Sequence, residues 1–221
     1  MRVRADLNIS LDGFGTTTDG TDDNPFGDDW MRLVRAYTET RTFRSRVLGD
    51  ASGGGTTDVD DRYAAAYFEG VGAEIMGAGM FGLHLNANDP DWQGWWGDDP
   101  PFHCPVFVLT HEIRPSLVMQ GGTTFHFISA TPEQALVRAT AEARGQDVRI
   151  GGGPTVVREY LRLGLIDDLH VAIAPILLGR GIRLWDDLRG LEQGRTVRSE
   201  VAGSGTVHVS FTRLAGADGS R

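Results

Sequence analysis

The sequence predicts one α/β domain built around a mixed β-sheet. Segments with the alternation of β-strands are interspersed with segments of helical periodicity along most of the chain. Two predicted strands run directly into glycine-rich turns, at residues 77–79 and 151–153, and the last two strands are joined by a glycine-containing turn at residues 203–205. Because no linker or internal repeat is visible, we expect one domain over residues 1–214 and a disordered tail over residues 215–221.

The composition argues against a nucleic acid or a membrane surface as the partner. The 221 residues include 30 Asp and Glu against 21 Lys and Arg, a net charge of −9, and no basic cluster is present. No apolar run reaches the roughly 18 residues that cross a bilayer. Cys104 is the only cysteine, so an intrachain disulfide is excluded, which fits a reducing compartment. We therefore expect a cytoplasmic protein.

Eight segments have the pattern of β-strands. The first alternates Val3, Ala5, Leu7 and Ile9 with polar residues, and a turn at residues 10–13 ends it. The last two segments are expected to pair as a C-terminal β-hairpin. The predicted strands cover residues 2–9, 73–76, 105–109, 123–128, 147–150, 169–173, 196–202 and 206–214.

Four segments are predicted to be helical. The sequence Thr131-Pro132-Glu133-Gln134 is a capping box, with Thr131 as the N-cap and Gln134 as its partner. Pro154 suits the first turn of a helix, where its missing N–H costs nothing. The predicted helices cover residues 30–43, 61–69, 132–144 and 154–165. Loops rich in Gly, Thr and Asp are expected at residues 15–29 and 50–61.

Two loops have unusual compositions. Residues 86–103 hold three tryptophans, Trp92, Trp95 and Trp96, which could cover either the edge of the core or a partner surface; a core role is favoured. The second loop carries an acidic run that could bind a cation, although a solvated loop is favoured. This run consists of Asp19, Asp22, Asp23, Asp28 and Asp29.

The stretch from Asp147 to Asp167 carries the main functional signal. A buried strand ends at Ile150, three glycines follow, and a helix begins near Pro154. Glycine lets backbone N–H groups approach a phosphate, and the helix N-terminus adds partial positive charge. A tight turn that requires positive φ explains the glycines equally well. The stretch lacks the GxGxxG spacing, and GxxxxGK[ST] occurs nowhere in the chain.

Five motifs in order resemble the dihydrofolate reductase-like superfamily. They are SLDG, IMGAGMFG, VFVLTH, VRIGGGPTVVREYL and IDDLHVAIAPILLGRG. The similarity is greatest to the reductase domain of riboflavin biosynthesis and its stand-alone bacterial relatives, and it extends from about residue 2 to about residue 213. The resemblance implies a mixed sheet of about eight strands and NADPH bound across the carboxyl ends of the strands.

The resemblance also assigns site residues. The expected cofactor-binding residues are Gly77, Ala78, Gly79, Met80, Thr110, His111, Gly151, Gly152, Gly153, Pro154, Thr155 and Val156. The residues expected near the nicotinamide and the substrate mouth are Ile9, Asp12, Leu178 and Gly179. Asp12 is the candidate catalytic acid, and its alternative role is a turn aspartate that caps its own backbone.

One position departs from the pattern of the relatives. Ala78 stands where they commonly carry an arginine, so a guanidinium that would bind phosphate is missing. His111 or Arg114 could replace it. The preference for NADPH over NADH is therefore less secure than the fold.

No metal site is expected, because the six histidines are scattered without HExxH or another ligand spacing. His126 and His170 lie within strands and are expected to be partly buried, and Cys104 is expected to be a packed thiol. The predicted function is an NADPH-dependent reductase that transfers hydride to a small pterin-like or other heteroaromatic acceptor. The alternative is a non-catalytic nucleotide- or flavin-binding module of the same fold. A homodimer is also expected, with the tryptophan loop as the candidate contact.

Overall fold

The computed structural model describes residues 1–21, 23–86 and 89–216. The predictions that involve Asp22, Ala87, Asn88 and residues 217–221 of the expected tail lie outside the described residues. The strands are β1 (Val3–Ser10), β2 (Phe14–Thr16), β3 (Val71–Gly77), β4 (Pro105–Leu109), β5 (Leu117–Val118), β6 (Thr124–Ile128), β7 (Asp147–Gly152), β8 (Asp168–Ala174), β9 (Ile182–Arg183), β10 (Arg195–Val201) and β11 (Val207–Arg213). The helices are α1 (Gly27–Thr38), α2 (Arg41–Arg46), α3 (Val59–Ala66), α4 (Ala78–Phe81), α5 (Pro132–Glu142) and α6 (Pro154–Arg162).

Nine of these strands form one mixed sheet in the order β10-β11-β8-β1-β7-β3-β4-β6-β5. The six strands from β8 to β6 are parallel to one another, whereas the pairs β8–β11, β11–β10 and β6–β5 are antiparallel. The predicted α/β fold with a mixed sheet and a C-terminal hairpin is confirmed. The ninth strand, β5, has only two residues and therefore shows no period-two pattern.

One face of the sheet is apolar and is covered by α5 and α6. The alternating residues of β1 point to this face and are buried, as the sequence pattern predicts. Ala135 and Ala139 of α5 and Val157 and Tyr160 of α6 pack against them. The predicted capping box starts α5: Thr131 Oγ1 accepts the Gln134 N–H at 3.3 Å, and Gln134 Oε1 accepts the Thr131 N–H at 3.1 Å.

The opposite face is covered by α1, α2, α3 and the tryptophan loop. Towards β4 and β6 it is apolar, with Met76, Phe81 and Phe125 buried in a second cluster. Towards β1 and β8 it carries buried charged residues, which are described below. None of the helices in the described parts of the chain combines the length and apolar character that a membrane span requires.

Three predicted boundaries were wrong. The helix expected over residues 30–43 is two helices, because Thr40 has an extended ψ of 152° and its Oγ1 accepts the Phe43 N–H as the N-cap of α2. The helix expected at residue 61 begins at Val59, since Asp58 caps it. The loop expected from residue 15 contains β2, which pairs with β9 in a separate two-stranded sheet.

Candidate functional site

The predicted site residues lie together along the carboxyl edge of the parallel strands. Since β8, β1, β7, β3 and β4 are adjacent and point the same way, the segments that follow them meet at one edge. The predicted residues are arranged along this edge in spatial order. They are Leu178 and Gly179 after β8, Ile9 and Asp12 at β1, residues 151–156 at β7 and α6, residues 77–80 at β3 and α4, and Thr110 and His111 after β4.

The turn after β7 has features of a tight turn that requires positive φ and features of a phosphate-binding turn. Gly151 and Gly152 still belong to β7, Gly152 has a positive φ of 129°, and a cis peptide bond joins Gly152 to Gly153. Gly153 is the N-cap of α6 and has no side chain to cap the first helical N–H groups. A Cβ on Gly153 would be in ordinary van der Waals contact with Thr16 Cγ2, at 3.8 Å, so Thr16 lies beside the start of the helix. An uncapped helix N-terminus is a favourable place for an anion.

The turn after β3 touches the turn after β7. A Cβ on Gly77 would lie 2.9 Å from Val156 Cγ2, and a Cβ on Gly152 would lie 3.4 Å from Met80 Sδ. Gly79 is exposed, and a Cβ there would meet no atom within 4 Å. The two turns are therefore in contact through the side chains of Val156 and Met80, and a side chain at Gly79 would have open space around it.

The segment after β4 lies one strand farther along the edge. The Thr110 N–H donates to Ile128 O at 3.0 Å, and Thr110 Oγ1 accepts the Glu112 N–H at 3.0 Å, so this threonine stabilises its own turn. His111 is exposed. Three residues farther along the chain, Arg114 lines an open groove of about 390 Å³ together with Trp92 and Phe127, among others.

Asp12 joins two loops at the mouth of the site through hydrogen bonds. Its carboxylate accepts the N–H groups of Leu178 at 3.1 Å and Gly179 at 2.7 Å, and the Ser10 hydroxyl at 2.6 Å. Desolvation raises the pKa of Asp12, but these hydrogen bonds outweigh it and lower the pKa to about 2. Asp12 is thus ionised at neutral pH and is a poor proton donor, so its geometry favours a positioning role. Its assignment as a catalytic residue stays a prediction.

The tryptophan loop packs onto the domain itself. Trp95 Nε1 donates to Met80 O at 3.1 Å, Trp92 Nε1 donates to Phe81 O at 2.9 Å, and the Trp96 ring lies 4.8 Å from that of Phe102. The favoured core role of this loop is confirmed, because Trp92 and Trp96 pack against the second cluster. A homodimer with this loop as its contact stays a prediction. The loop hydrogen-bonds to the backbone of α4, in the glycine turn after β3.

Comparison with known proteins decides the family. Residues 2–208 match the family described as the RibD C-terminal domain. The chain belongs to this family. The resemblance to the reductase domain of riboflavin biosynthesis is therefore confirmed.

Solved structures agree in fold with this RibD C-terminal domain. A putative riboflavin biosynthesis protein from Shewanella sp. PV-4 superposes with a TM-score of 0.56 and 20% identity, covering 97% of this chain and 99% of that one. RibD from Acinetobacter baumannii gives a TM-score of 0.51 and 16% identity over 96% of this chain, which spans 58% of that protein. The uncharacterized protein YyaP of Bacillus subtilis (strain 168) is 28% identical over 67 residues, which are 30% of this chain and 36% of YyaP.

A buried polar row beneath the site was missed by sequence reasoning. It crosses five adjacent strands through Glu74, Arg149, Asp6, His170 and His208. Arg149 Nη1 lies 3.1 Å from Glu74 Oε2, and Arg149 Nε lies 3.4 Å from Asp6 Oδ2. Asp6 Oδ1 lies 3.3 Å from His170 Nδ1, and His170 Nε2 lies 3.0 Å from His208 Nδ1. The row gives the RibD C-terminal domain a rigid charged layer directly under the turn after β7.

Asp60 of α3 closes the row on the far side. Its Oδ1 lies 2.8 Å from Nε2 of His208, and the Tyr63 ring stacks on both imidazoles at 4.2 Å. Burial lowers the pKa of His208, and the hydrogen bond to Asp60 opposes this shift. The predicted burial of His170 is confirmed. His126 is half-buried as expected, and its Nδ1 is 3.0 Å from the Ser116 hydroxyl.

A second signal was overlooked at the turn after β3. The segment Gly77-Ala78-Gly79-Met80-Phe81-Gly82 has the GxGxxG spacing and follows a strand. The helix that it opens has only four residues, so its context differs from that of a dinucleotide fingerprint. Spacing alone could have singled out this turn.

The remaining predicted features are local. Cys104 is buried, and burial raises the pKa of its thiol to about 12. Asp19 accepts the Asp29 N–H at 2.9 Å, and Asp29 pairs with Arg32 and Arg180. Within the described ranges no group of three or more His, Cys, Asp or Glu side chains is arranged to hold a metal ion.

Proposed function

We propose that this chain is an NADPH-dependent reductase that transfers hydride to a small heteroaromatic acceptor of the pterin or pyrimidine kind. The observation that carries the proposal is the contact between the two glycine turns, which places the uncapped N-terminus of α6 next to the turn that carries the open position at Gly79. Membership of the RibD C-terminal domain family supports it. So does the fold shared with the putative riboflavin biosynthesis protein from Shewanella.

The residues along the edge would divide the cofactor between them. The N–H groups of Thr155 and Val156 at the start of α6 would bind the pyrophosphate, because the helix N-terminus carries partial positive charge. The groove lined by Arg114 would receive the adenosine end. Arg114, with His111 three residues before it in the chain, would take the place of the guanidinium that is absent at Ala78.

Bound NADPH would supply hydride to an electrophilic carbon of the acceptor, and solvent would supply the proton. The protein's own task is then to hold and orient. Asp12 keeps the segment at Leu178 and Gly179 against the end of β1, where Ile9 is buried, and this fixes the shape of the mouth. Catalysis by positioning alone is effective when both reactants are bound.

A second function, nucleotide binding without catalysis, is favoured by one observation. Asp12, the acidic residue predicted at the mouth, is held as a carboxylate by three hydrogen bonds and does not offer a proton at neutral pH. The same binding surface would serve both functions. They differ only in turnover.

The proposal is tested first by binding. Thermal unfolding is measured with NADPH, NADH and FMN, where a ligand at 100 times its dissociation constant adds about 2.7 kcal/mol to stability. NADPH is expected to stabilise the protein more than NADH does. Absence of stabilisation by either nicotinamide cofactor contradicts the proposal, and stabilisation by FMN alone supports a flavin module.

The site itself is tested with Thr155→Glu and the neutral control Thr155→Val. Thr155 is exposed in the first turn of α6, where an added carboxylate favours the helix but repels phosphate. We expect Thr155→Glu to keep or raise the melting temperature and to weaken NADPH at least about tenfold. Thr155→Val is expected to bind nearly as the wild type does. Oxidation of NADPH by candidate pteridine and pyrimidine acceptors then separates the reductase from the binding module.

A further inference from the structure

Three aromatic rings form a bridge across the carboxyl edge of the sheet. The centroid of the Phe26 ring lies 4.8 Å from that of Trp30 and 4.7 Å from that of Trp95. Trp30 belongs to α1 and packs against a buried cluster that includes Ala174, the last residue of β8. Trp95 donates to Met80 O in α4, which follows β3. Since β1 and β7 lie between β8 and β3, this aromatic bridge of Phe26, Trp30 and Trp95 spans the ends of both strands.

Two rings of the aromatic bridge lie outside the apolar core. Phe26 is 36% exposed, and Trp95 is partly exposed. In the part of the chain that the structure describes, neither ring is among the side chains that pack against the three buried clusters, whereas Trp92 and Trp96 are. Aromatic surface that is exposed at the edge of a binding site is available to a ligand.

The segment that carries Phe26 is strongly acidic. Residues 11–30 contain six aspartates and neither lysine nor arginine. Arg32 and Arg180 reach this segment from outside it, and both bind one carboxylate: Arg32 lies 2.6 Å from Asp29 Oδ1, and Arg180 lies 3.3 Å from Asp29 Oδ2. A ligand with a phosphate group would meet a negative field here and would have to displace Asp29 from its arginines.

A planar ring with N–H donors suits both the aromatic surface and the negative charge. Aromatic side chains stack on planar heteroaromatic rings, and carboxylates accept hydrogen bonds from ring N–H and amino groups. The exposed carboxylate of Asp28 lies in the first turn of α1, two residues after Phe26. The arrangement therefore favours a ring that donates hydrogen bonds and carries no negative charge.

We propose that the acceptor is a pterin-like ring without a phosphate or other negative charge, and that this ring stacks on Phe26 and Trp95. The inference rests on the proposed function, because it names the substrate class of the same site. The N-terminus of α6 would bind the anionic part of the cofactor, and the aromatic bridge would bind the uncharged acceptor. Loss of one stacking ring is expected to weaken acceptor binding about tenfold.

The test uses two pterins that share one ring system and differ in charge. At neutral pH 6-hydroxymethylpterin is uncharged, whereas pterin-6-carboxylate carries a negative charge. Each pterin is titrated with the full chain in the presence of oxidised NADP, which occupies the cofactor site without turnover, and quenching of the pterin fluorescence is measured. The uncharged pterin is expected to bind at least about tenfold more tightly than the carboxylate.

Substitutions at Phe26 separate stacking from a structural role. Phe26→Leu keeps an apolar side chain and removes the ring, so the uncharged pterin should bind about tenfold more weakly, with the melting temperature and the NADPH affinity unchanged. Phe26→Tyr keeps the ring and should bind as the wild type does. Phe68→Leu is the matched control: Phe68 follows α3 where the carbonyls of Ala66 and Glu69 bind Arg4 at the start of β1, at the opposite edge of the sheet.

Asp29→Asn tests the contribution of charge. The substitution keeps the shape of the side chain, removes one negative charge and releases Arg32 and Arg180 from their ion pairs. Pterin-6-carboxylate should therefore bind several-fold more tightly to this variant than to the wild type. The affinity for the uncharged pterin should change little.

The outcomes separate this inference from the proposed function. If NADPH does not raise the melting temperature, the proposed function fails and the inference fails with it. If NADPH binds but neither pterin does, or if Phe26→Leu binds the uncharged pterin as tightly as the wild type, the aromatic acceptor site is overturned. Equal affinity of the wild type for the two pterins, or an Asp29→Asn variant that binds the carboxylate no better, overturns the selection against negative charge.

Discussion

The two glycine turns have the same sequence pattern but different physical constraints. After β7, Gly151 is required because a Cβ there would come within 2.1 Å of Glu74 Oε1, and Gly152 is required by its positive φ. After β3, Gly77 is confined by Val156 and Gly82 by the Trp95 ring, while Gly79 faces open space. A run of glycines therefore mixes positions that the fold requires to be glycine with positions that it leaves open.

The turns also differ in what supports them. The turn after β7 rests on the buried polar row and starts a nine-residue helix. The turn after β3 starts a four-residue helix and is covered from outside by Trp95, whose ring lies against Gly82. We expect changes at the first turn to affect folding most strongly, and changes at the second to affect binding.

The largest effect is expected for Gly151→Ala. The new methyl group would displace the Glu74 carboxylate from its buried pair with Arg149, at a cost of about 3 kcal/mol in the free energy of unfolding. Urea unfolding measures this cost. In a Glu74→Ala background the same substitution should cost much less, and an unchanged cost would show that Glu74 does not define this turn.

The next prediction compares how the stability of the wild type and that of Glu74→Gln depend on pH. Burial raises the pKa of Glu74 above its ordinary value, although Arg149 opposes the shift. The folded state therefore binds the proton more tightly than the unfolded state, and stability from this group is present at low pH and declines as pH rises through the raised pKa. The unfolding free energy of the wild type minus that of Glu74→Gln should fall as pH rises from about 4.5. A difference independent of pH would contradict the prediction.

A smaller effect is expected for Trp95→Phe at the second turn. The substitution removes the indole N–H that donates to Met80 O, at a cost of about 1 kcal/mol. Because Met80 lies at the contact between the turns, NADPH binding should weaken as well. Thermal unfolding would show the loss of stability, and isothermal titration would show the loss of NADPH affinity. A variant that keeps both its stability and its affinity would show that the tryptophan loop does not support the site.

The smallest effect on folding is expected for Gly79→Ala. Alanine favours the helix, so the protein should gain at most about 1 kcal/mol in stability. The methyl group would occupy the open position in the turn after β3 and should weaken NADPH binding a few-fold. Tighter NADPH binding by Gly79→Ala would show that the cofactor does not bind at this turn.

Sequence patterns predicted the strands, the capping box and the segments that meet at the carboxyl edge, because these features depend on local periodicity and on residues that are close in sequence. The polar row could not be predicted in this way. Glu74 and Arg149 are 75 residues apart; Glu74 is the only charged residue of β3, and Arg149 follows Asp147 in β7. Only the register between β3 and β7 brings them together. Asp12 was placed correctly at the end of the first strand, but its hydrogen bonds come from Leu178 and Gly179, which no local pattern reveals.

The central position of β1 has a consequence for how the chain is made. This strand pairs with β7 on one side and β8 on the other, and the Val3 N–H donates to the carboxylate of Asp167, 164 residues away. On the ribosome β1 emerges well before β7 and β8, so neither of its neighbours exists until most of the domain has been translated. Folding that depends on such distant contacts is slow compared with helix formation. The apolar residues of β1 are therefore enclosed only after β7 and β8 have been synthesised.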